Sequence, residues 1–170
     1  MNDFLEKYGK DSVNHRIGKL YQPGVTEEDI SKVLDDPNED IRVKRKVLRH
    51  PKINKDQISK VLRDPKKDKD IKLNAIQHPN ATGDHINMVL DNYDNEDWSI
   101  KQAAINSVIA TAEHISKVLD NPDEHYFVKR AALRHPKATA EHVSKVLDNP
   151  DEHPQVREIA KYIRSERFEK

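Results

Sequence analysis

A phrase of fifteen residues occurs twice in this sequence with a single substitution. TAEHISKVLDNPDEH fills residues 111–125, and TAEHVSKVLDNPDEH fills residues 139–153. Related segments begin at Thr26, Asn54, Thr82, Thr111 and Thr139, so the successive spacings are 28, 28, 29 and 28 residues. A period of this length is typical of a repeat protein, in which each repeat is one supersecondary unit.

Each repeat carries the signals of two helices. The first helix is predicted to begin after the Thr or Asn that opens the repeat, because these residues cap helix N-termini and an acid follows two positions later. Apolar residues before the cap and four positions after it match the hydrophobic staple. A loop of the DDPNE or DNPDE type leads to the second helix. Pro51, Pro79 and Pro136 are predicted to end that helix, since the residue before a proline disfavours the α region.

One repeat alone buries too few side chains to offset the conformational entropy of ordering its chain, so the repeats must stack. We therefore predict an all-α protein, a right-handed α-solenoid of about five two-helix repeats plus a degenerate N-terminal capping unit. The whole chain, residues 1–170, is expected to form a single repeat domain, with the charged tail YIRSERFEK as a terminal cap. The predicted boundaries are 1–25 for the capping unit and 26–53, 54–81, 82–110, 111–138 and 139–170 for the repeats.

The composition limits the function classes. Thirty basic and thirty acidic residues cancel, so no global field steers the chain to nucleic acid or to a membrane. The absence of cysteine excludes disulfides, thiolate metal sites and a cysteine nucleophile. Charges occupy the start of the chain where a signal peptide is apolar, and no apolar run approaches the roughly 20 residues of a membrane span. We expect a soluble, cytoplasmic protein.

The second helix and its turn, as in VKRAALRHPKAT, resemble the leucine-rich repeat variant and HEAT-like α-solenoid families. Residues 123–136 stand where those families carry a D…VR…A…NP phrase, and the resemblance covers about residues 11–163. It implies an interaction scaffold rather than an enzyme. One leucine-rich repeat variant protein is associated with an iron–sulfur cluster held by cysteines. Because this chain has none, no cofactor is expected.

The histidines recur in rows at the repeat period. Equivalent residues of stacked helices lie roughly 8–10 Å apart at the backbone, too far to converge on one ion, so no metal site is predicted. The row before the prolines is interpreted as turn residues that also face the negative end of a helix dipole. The rows are His50, His78 and His135 before the prolines, His85, His114 and His142 in the first helices, and His125 and His153 at the ends of the loops.

A row of cations also follows the period. It is able to bind phosphates, but pairing with loop acids is favoured because the row recurs at the period of the scaffold itself. The cations are Arg16, Lys44, Lys72, Lys101, Lys129 and Arg157, and the acids are Asp35, Asp91, Asp120 and Asp148. On the exposed side of the first helices, i, i+4 ion pairs are predicted. These are Glu28–Lys32, Asp56–Lys60, Glu113–Lys117 and Glu141–Lys145.

Specificity in a repeat protein is expected where the repeats differ, on the exposed side of the second helices. By analogy with other α-solenoids, these helices line the concave surface. That surface is predicted to be basic at both ends, amide-rich in the middle and flanked by aromatic residues, a mixture enriched at binding hot spots. The candidate partner-binding residues are Arg42, Arg45, Lys46, Arg49, Leu73, Asn74, Gln77, Trp98, Gln102, Asn106, Tyr126, Phe127, Arg130 and Arg134. For Trp98 and Tyr126, packing of the loop that holds the extra residue is the alternative.

These observations favour a non-catalytic scaffold that holds a protein or peptide partner, possibly acidic, along the concave face. No catalytic residue is predicted, because the sequence shows no glycine-rich phosphate loop or nucleophile elbow. The alternative is nucleic-acid binding along a basic concave face, as in HEAT-like DNA glycosylases. A glycosylase also needs an aromatic and carboxylate pocket, for which Trp98 with Asp94 or Asp97 is a weak candidate. Self-association through the ends of the solenoid is a third possibility.

Overall fold

The computed structural model describes residues 12–64, 66–92 and 96–169, and in these ranges all regular structure is helical, with no strand. The predicted all-α class is confirmed. Residues 1–11 of the capping unit, and Asp94, which the sequence analysis named together with Trp98, lie outside the described residues. The described helices are α1 (Val13–Leu20), α2 (Glu27–Asp35), α3 (Ile41–Val47), α4 (Lys55–Arg63), α5 (Lys69–Ile76), α6 (Gly83–Leu90), α7 (Trp98–Ile105), α8 (Ala112–Asp120), α9 (Tyr126–Arg134), α10 (Ala140–Asp148) and α11 (Pro154–Ile163), followed by a π-helical turn, Arg164–Phe168.

The first helix of each repeat begins where the sequence predicts. Thr26, Asn54, Thr82, Thr111 and Thr139 are the N-cap residues of α2, α4, α6, α8 and α10. Each belongs to a capping box, in which the third helical residue accepts a hydrogen bond from the backbone N–H of the cap. The predicted caps are therefore confirmed, and the box adds a partner that the sequence analysis did not assign.

The chain divides into two compact units at a repeat boundary, Met1–Ala81 and Thr82–Lys170. In the first unit, which we call unit 1, α3 packs against α1, α2 and α5, and α4 packs against α5. The core of unit 1 is aliphatic, and its side chains come from both helices of each repeat. Its fully buried members include Leu20, Ile30, Val43, Leu48, Ile58 and Ile71.

The second unit, unit 2, shows a regular two-layer arrangement. First helices contact first helices, α6 with α8 and α8 with α10, while second helices contact second helices, α7 with α9 and α9 with α11. The two helices of each repeat also pack against each other. Between the layers lies a core of small and branched aliphatic side chains, among them Ile86, Ile100, Ala104, Ile105, Ile115, Val128, Ala132 and Val156.

The carbonyl group before four of the five first-helix caps accepts a hydrogen bond from a side chain that lies 27–29 residues later. In unit 1, Lys52 donates to the Val25 carbonyl and Asn80 to the Ile53 carbonyl. In unit 2, Lys137 donates to the Ala110 carbonyl, and Arg167 of the tail donates to the Ala138 carbonyl at 3.2 Å. Arg167 thus makes a bond equivalent to that of the turn lysines Lys52 and Lys137, and the capping function of the tail stays a prediction.

His50, His78 and His135 lie in the turns that follow second helices. The Nδ1 atom of each accepts from the backbone N–H two residues later, at 3.0–3.1 Å. With Nδ1 as acceptor, the proton lies on Nε2, which in His78 and His135 is 3.3–3.4 Å from a carbonyl oxygen 28 residues earlier. Burial lowers the pKa of all three imidazoles. The turn role is confirmed, and the interaction with the helix dipole stays a prediction.

None of the helices in the described ranges is long and apolar enough to cross a membrane.

Candidate functional site

The periodic cations that were candidates for phosphate binding are structural where their partners are described. Lys101 pairs with Glu124 at 3.1 Å and Lys129 with Glu152 at 2.8 Å, and all four side chains are at most 5% exposed. In unit 1 the equivalent pair is Arg16–Glu39, at 2.9 Å. The predicted aspartate partners are wrong for these three cations. The partner is a loop glutamate 23 residues later, whose longer side chain reaches the buried amino group.

The loop aspartates pair with a different row of lysines. Lys60 binds Asp35 and Lys117 binds Asp91, each at 2.5 Å, and Lys145 binds Asp120. Of the four predicted i, i+4 pairs, Glu28–Lys32 is confirmed at 2.9 Å. The other three lysines reach instead to the preceding repeat. Neighbouring helix axes are only about 8–10 Å apart, so an acid on the next helix is as accessible as one on the same helix.

The histidines of the first helices are capping-box residues. Nδ1 of His85, His114 and His142 accepts from the backbone N–H of the threonine cap at 2.9–3.0 Å. His142 also links two repeats, since its Nε2 lies 2.8 Å from Ser116 Oγ on α8. Gln57 does the same in unit 1, bonding Ser31 Oγ at 2.7 Å. In the described ranges no three His, Cys, Asp or Glu side chains are placed to hold a metal ion.

In unit 1 the predicted binding arginines already have partners. Arg45 on α3 forms an ion pair with Asp70 on α5, and Arg49 donates to Asn74 Oδ1 at 3.0 Å. Arg42 pairs with its own N-cap, Asp40, at 2.8 Å. The hydrogen bonds from Arg42 hold the pKa of Asp40 down at about 2. The remaining predicted residues of this face are Lys46 and Gln77, which are exposed, and Leu73, which is half-buried.

In unit 2 the predicted residues come together in a groove. Gln102 and Asn106 on α7 face Phe127, Arg130, Ala131 and Arg134 on α9, and together they line a volume of about 410 Å³. The Arg130 guanidinium lies 5.8 Å from the centre of the Phe127 ring. Its Nε atom is buried without a hydrogen-bond partner. We call this groove, defined by these six residues, the α7/α9 groove.

A ladder of stacked rings forms one edge of the same surface. Trp98 stacks on His125 at 5.3 Å, His125 on Tyr126 at 4.8 Å, and Tyr126 on His153 at 4.7 Å between ring centroids. Phe127 joins the ladder to the α7/α9 groove, since it contacts Trp98 at 4.9 Å and Tyr126 at 4.2 Å. Trp98 remains 38% exposed. The aromatic residues are therefore part of the groove's surroundings.

His125 and His153 are members of the ladder that the sequence analysis did not propose. They are the N-caps of α9 and α11, where their Nδ1 atoms accept from the N–H two residues later at 3.2 Å. Earlier repeats carry aspartate at this position, Asp40, Asp68 and Asp97. The change from Asp to His at this position of the repeat was the signal available in the sequence.

A second, smaller cavity of about 160 Å³ lies on the first-helix side of unit 1. Leu34 and Val61 give it an apolar lining, and the Lys60–Asp35 pair lies at its edge. Lys67 contributes its amino group, which donates to the Leu34 carbonyl at 2.9 Å. The ionic groups at this cavity are thus engaged within the protein.

No family model, curated protein or solved structure matches this chain.

Proposed function

We propose that the protein is a non-catalytic, cytoplasmic binding scaffold, a right-handed α-solenoid of two-helix repeats whose concave second-helix face holds a protein or peptide partner. Two observations support this architecture. The N-cap boxes recur at the repeat period, and within unit 2 first helices pack on first helices and second helices on second helices. In such an arrangement the exposed sides of second helices form a continuous surface.

The observation that carries the binding proposal is the α7/α9 groove. It combines two arginines, two side-chain amides and an aromatic ring. Arginine and aromatic side chains are enriched at the energetic centres of protein interfaces, and amides match both the N–H and the C=O of a peptide group. Neither Arg130 nor Arg134 forms an ion pair with another residue of the described chain. The groove therefore offers two arginines without an ion-pair partner beside an apolar wall.

Nucleic-acid binding is less well supported by the same surface. That function needs a row of cations along the face to neutralise successive phosphates. In unit 1, Arg42 and Arg45 are neutralised by Asp40 and Asp70, and Arg49 is bonded to Asn74. The chain as a whole carries no net charge. Two unpaired arginines in one groove suit a single acidic group better than a polyanion.

The test is a selection of phage-displayed random dodecapeptides on the full-length protein. We expect acidic peptides to be enriched and to bind in the micromolar range or tighter, about −8 kcal/mol. Counter-selection uses the variant Gln102→Ala/Asn106→Ala/Phe127→Ala, which removes groove side chains and leaves both arginines. Failure to enrich any peptide, or equal binding to this variant, contradicts the proposal. Binding of single-stranded RNA or duplex DNA with a steep salt dependence would establish the alternative instead.

A further inference from the structure

The two units present an arginine pair at the same repeat positions. Arg45 on α3 and Arg49 in the turn after it lie four residues apart, and Arg130 and Arg134 lie four residues apart on α9. In unit 1 the next second helix, α5, supplies the partners: Asp70 pairs with Arg45, and Asn74, four residues later, accepts from Arg49. Unit 1 thus contains an internal example of what such an arginine pair binds.

The corresponding positions of unit 2 lack those partners. The residues of α11 that match Asp70 and Asn74 are Gln155 and Ile159. Neither side chain carries a charge, and Ile159 offers no acceptor at all. The arginine pair of α9 is therefore left without the carboxylate that its counterpart in unit 1 receives.

The residues around Arg130 restrict its guanidinium group and leave it without an acceptor. Its guanidinium lies against the Phe127 ring, which limits its freedom. Its Nε–H is buried without a bond, as is that of Arg45, but Arg130 lacks the ion pair that Arg45 forms with Asp70. A buried donor without a partner is unfavourable, so an acceptor entering the groove gains more there than at a hydrated arginine. Arg134, one turn further along α9, is exposed and lines the same groove. Two guanidinium groups one helical turn apart provide several donors for one carboxylate.

We infer that the α7/α9 groove is a carboxylate site, which takes an aspartate or glutamate side chain of an acidic peptide on Arg130 and Arg134. This inference rests on the proposed binding function and specifies the chemistry of the partner. Gln102 and Asn106 lie across the groove on α7 and offer amides to the backbone of the same peptide. The ring ladder beginning at Trp98 provides the apolar contact at its edge.

The experiment is an NMR titration of the arginine Nε–Hε resonances of the full-length ¹⁵N-labelled protein. The probe is acetyl-octaglutamate amide at an ionic strength of about 50 mM, where electrostatic attraction is only partly screened. Acetyl-octaglutamine amide and inorganic phosphate are the controls. We expect octaglutamate to shift the Arg130 and Arg134 resonances saturably and to leave those of Arg45 and Arg49 in place. Octaglutamine is expected to shift none of them.

Matched variants locate the effect. Arg130→Gln/Arg134→Gln is expected to weaken octaglutamate binding by at least about tenfold, whereas Arg45→Gln/Arg49→Gln leaves it unchanged. A shift of all arginines alike, or saturation by phosphate but not by octaglutamate, would overturn the carboxylate assignment. If the peptides selected on phage bind the Arg130→Gln/Arg134→Gln variant as well as wild type, the scaffold function stands and this inference fails. If no peptide is selected at all, the scaffold function itself fails.

Discussion

Unit 1 and unit 2 place arginines at the same positions of their second helices, but the arginines face different neighbours. In unit 1, Asp70 and Asn74 bond Arg45 and Arg49, although the Nε atom of Arg45 is buried without a hydrogen-bond partner. In unit 2, the Nε atom of Arg130 is buried in the same way beside Phe127, but neither Arg130 nor Arg134 forms an ion pair with another residue of the described chain. We propose that an arginine at this repeat position binds a partner only where the adjacent repeat supplies no carboxylate for it.

The buried ion pairs differ in the opposite sense. Unit 2 contains two complete pairs, Lys101–Glu124 and Lys129–Glu152. In unit 1 the residue 23 positions after Lys44 is Lys67 rather than glutamate. Burial and the nearby charge of Lys67 both lower the pKa of Lys44. Lys44 of unit 1 therefore lacks the glutamate that Lys101 and Lys129 of unit 2 receive.

The largest effect is expected from breaking a buried pair of unit 2. Lys129→Met leaves the carboxylate of Glu152 buried without its cation and should lower the free energy of unfolding by about 3–5 kcal/mol. Lys60→Met removes the exposed pair with Asp35 in unit 1 and should cost less than about 1 kcal/mol. Urea unfolding followed by circular dichroism measures both. Equal losses would show that the burial of the pair is unimportant, and Lys129→Met/Glu152→Leu should recover most of the larger loss.

A medium effect is expected at the capping boxes, where the units use different residues. His142→Ala removes the bond to the Thr139 N–H and the link to Ser116, and should cost about 1–2 kcal/mol. His142→Gln should cost little, because Gln57 makes the equivalent two bonds in unit 1. Thermal unfolding of the two variants compares them directly. If Gln is as damaging as Ala, the histidine has a role that the glutamine of unit 1 does not share.

A gain of about 1 kcal/mol is expected from completing the ion-pair row of unit 1. Lys67→Glu replaces a like charge near Lys44 by the partner that the other repeats supply. Urea unfolding should show a higher midpoint with an unchanged slope. Lys66→Glu, at the neighbouring exposed position, is the matched charge control. A loss of stability in the Lys67 variant would mean that its bond to the Leu34 carbonyl matters more than the charge.

The smallest effect is a dependence of stability on pH. Burial lowers the folded-state pKa of His78, so the unfolded chain, with an ordinary pKa of 6.5, binds protons first as the pH falls. The contribution of this group is complete above pH 6.5 and declines as the pH is lowered towards the folded-state pKa. His78→Gln should therefore show a smaller loss of stability than wild type between roughly pH 7.5 and 5.5. Identical pH profiles would contradict a neutral, buried His78.

Much of the scaffold was predictable because it depends on local chemistry. A Thr or Asn side chain at the start of a segment with helical apolar spacing predicts an N-cap. All five caps predicted in this way are found, at Thr26, Asn54, Thr82, Thr111 and Thr139. Pro51 and Pro136 likewise follow the helices that they were predicted to end. Such signals act within a few residues and need no knowledge of tertiary contacts.

Ion-pair partners were less predictable, because they depend on which helix lies alongside. Lys117 has Glu113 four residues earlier, yet it binds Asp91 of the preceding repeat. Likewise Lys129 binds Glu152 rather than one of the loop aspartates that were predicted as its partners. In the sequence analysis the arginines of the second helices were treated as one exposed face. The sequence did not show that Arg45 is paired with Asp70, because that pair depends on side chains of two different helices.

The most direct test transfers the unit 1 arrangement into unit 2 without changing any arginine. Gln155→Asp/Ile159→Asn places an acid and an amide at the α11 positions that match Asp70 and Asn74. The control is Gln155→Asn/Ile159→Asn, which adds no charge. Fluorescence of Trp98, the single tryptophan of the chain, reports on octaglutamate bound in the adjacent groove. We expect the affinity of the acidic variant for octaglutamate to fall at least about tenfold and that of the control to stay unchanged. Unchanged affinity in the acidic variant would contradict the claim that the unpaired arginines of α9 make unit 2 the binding unit.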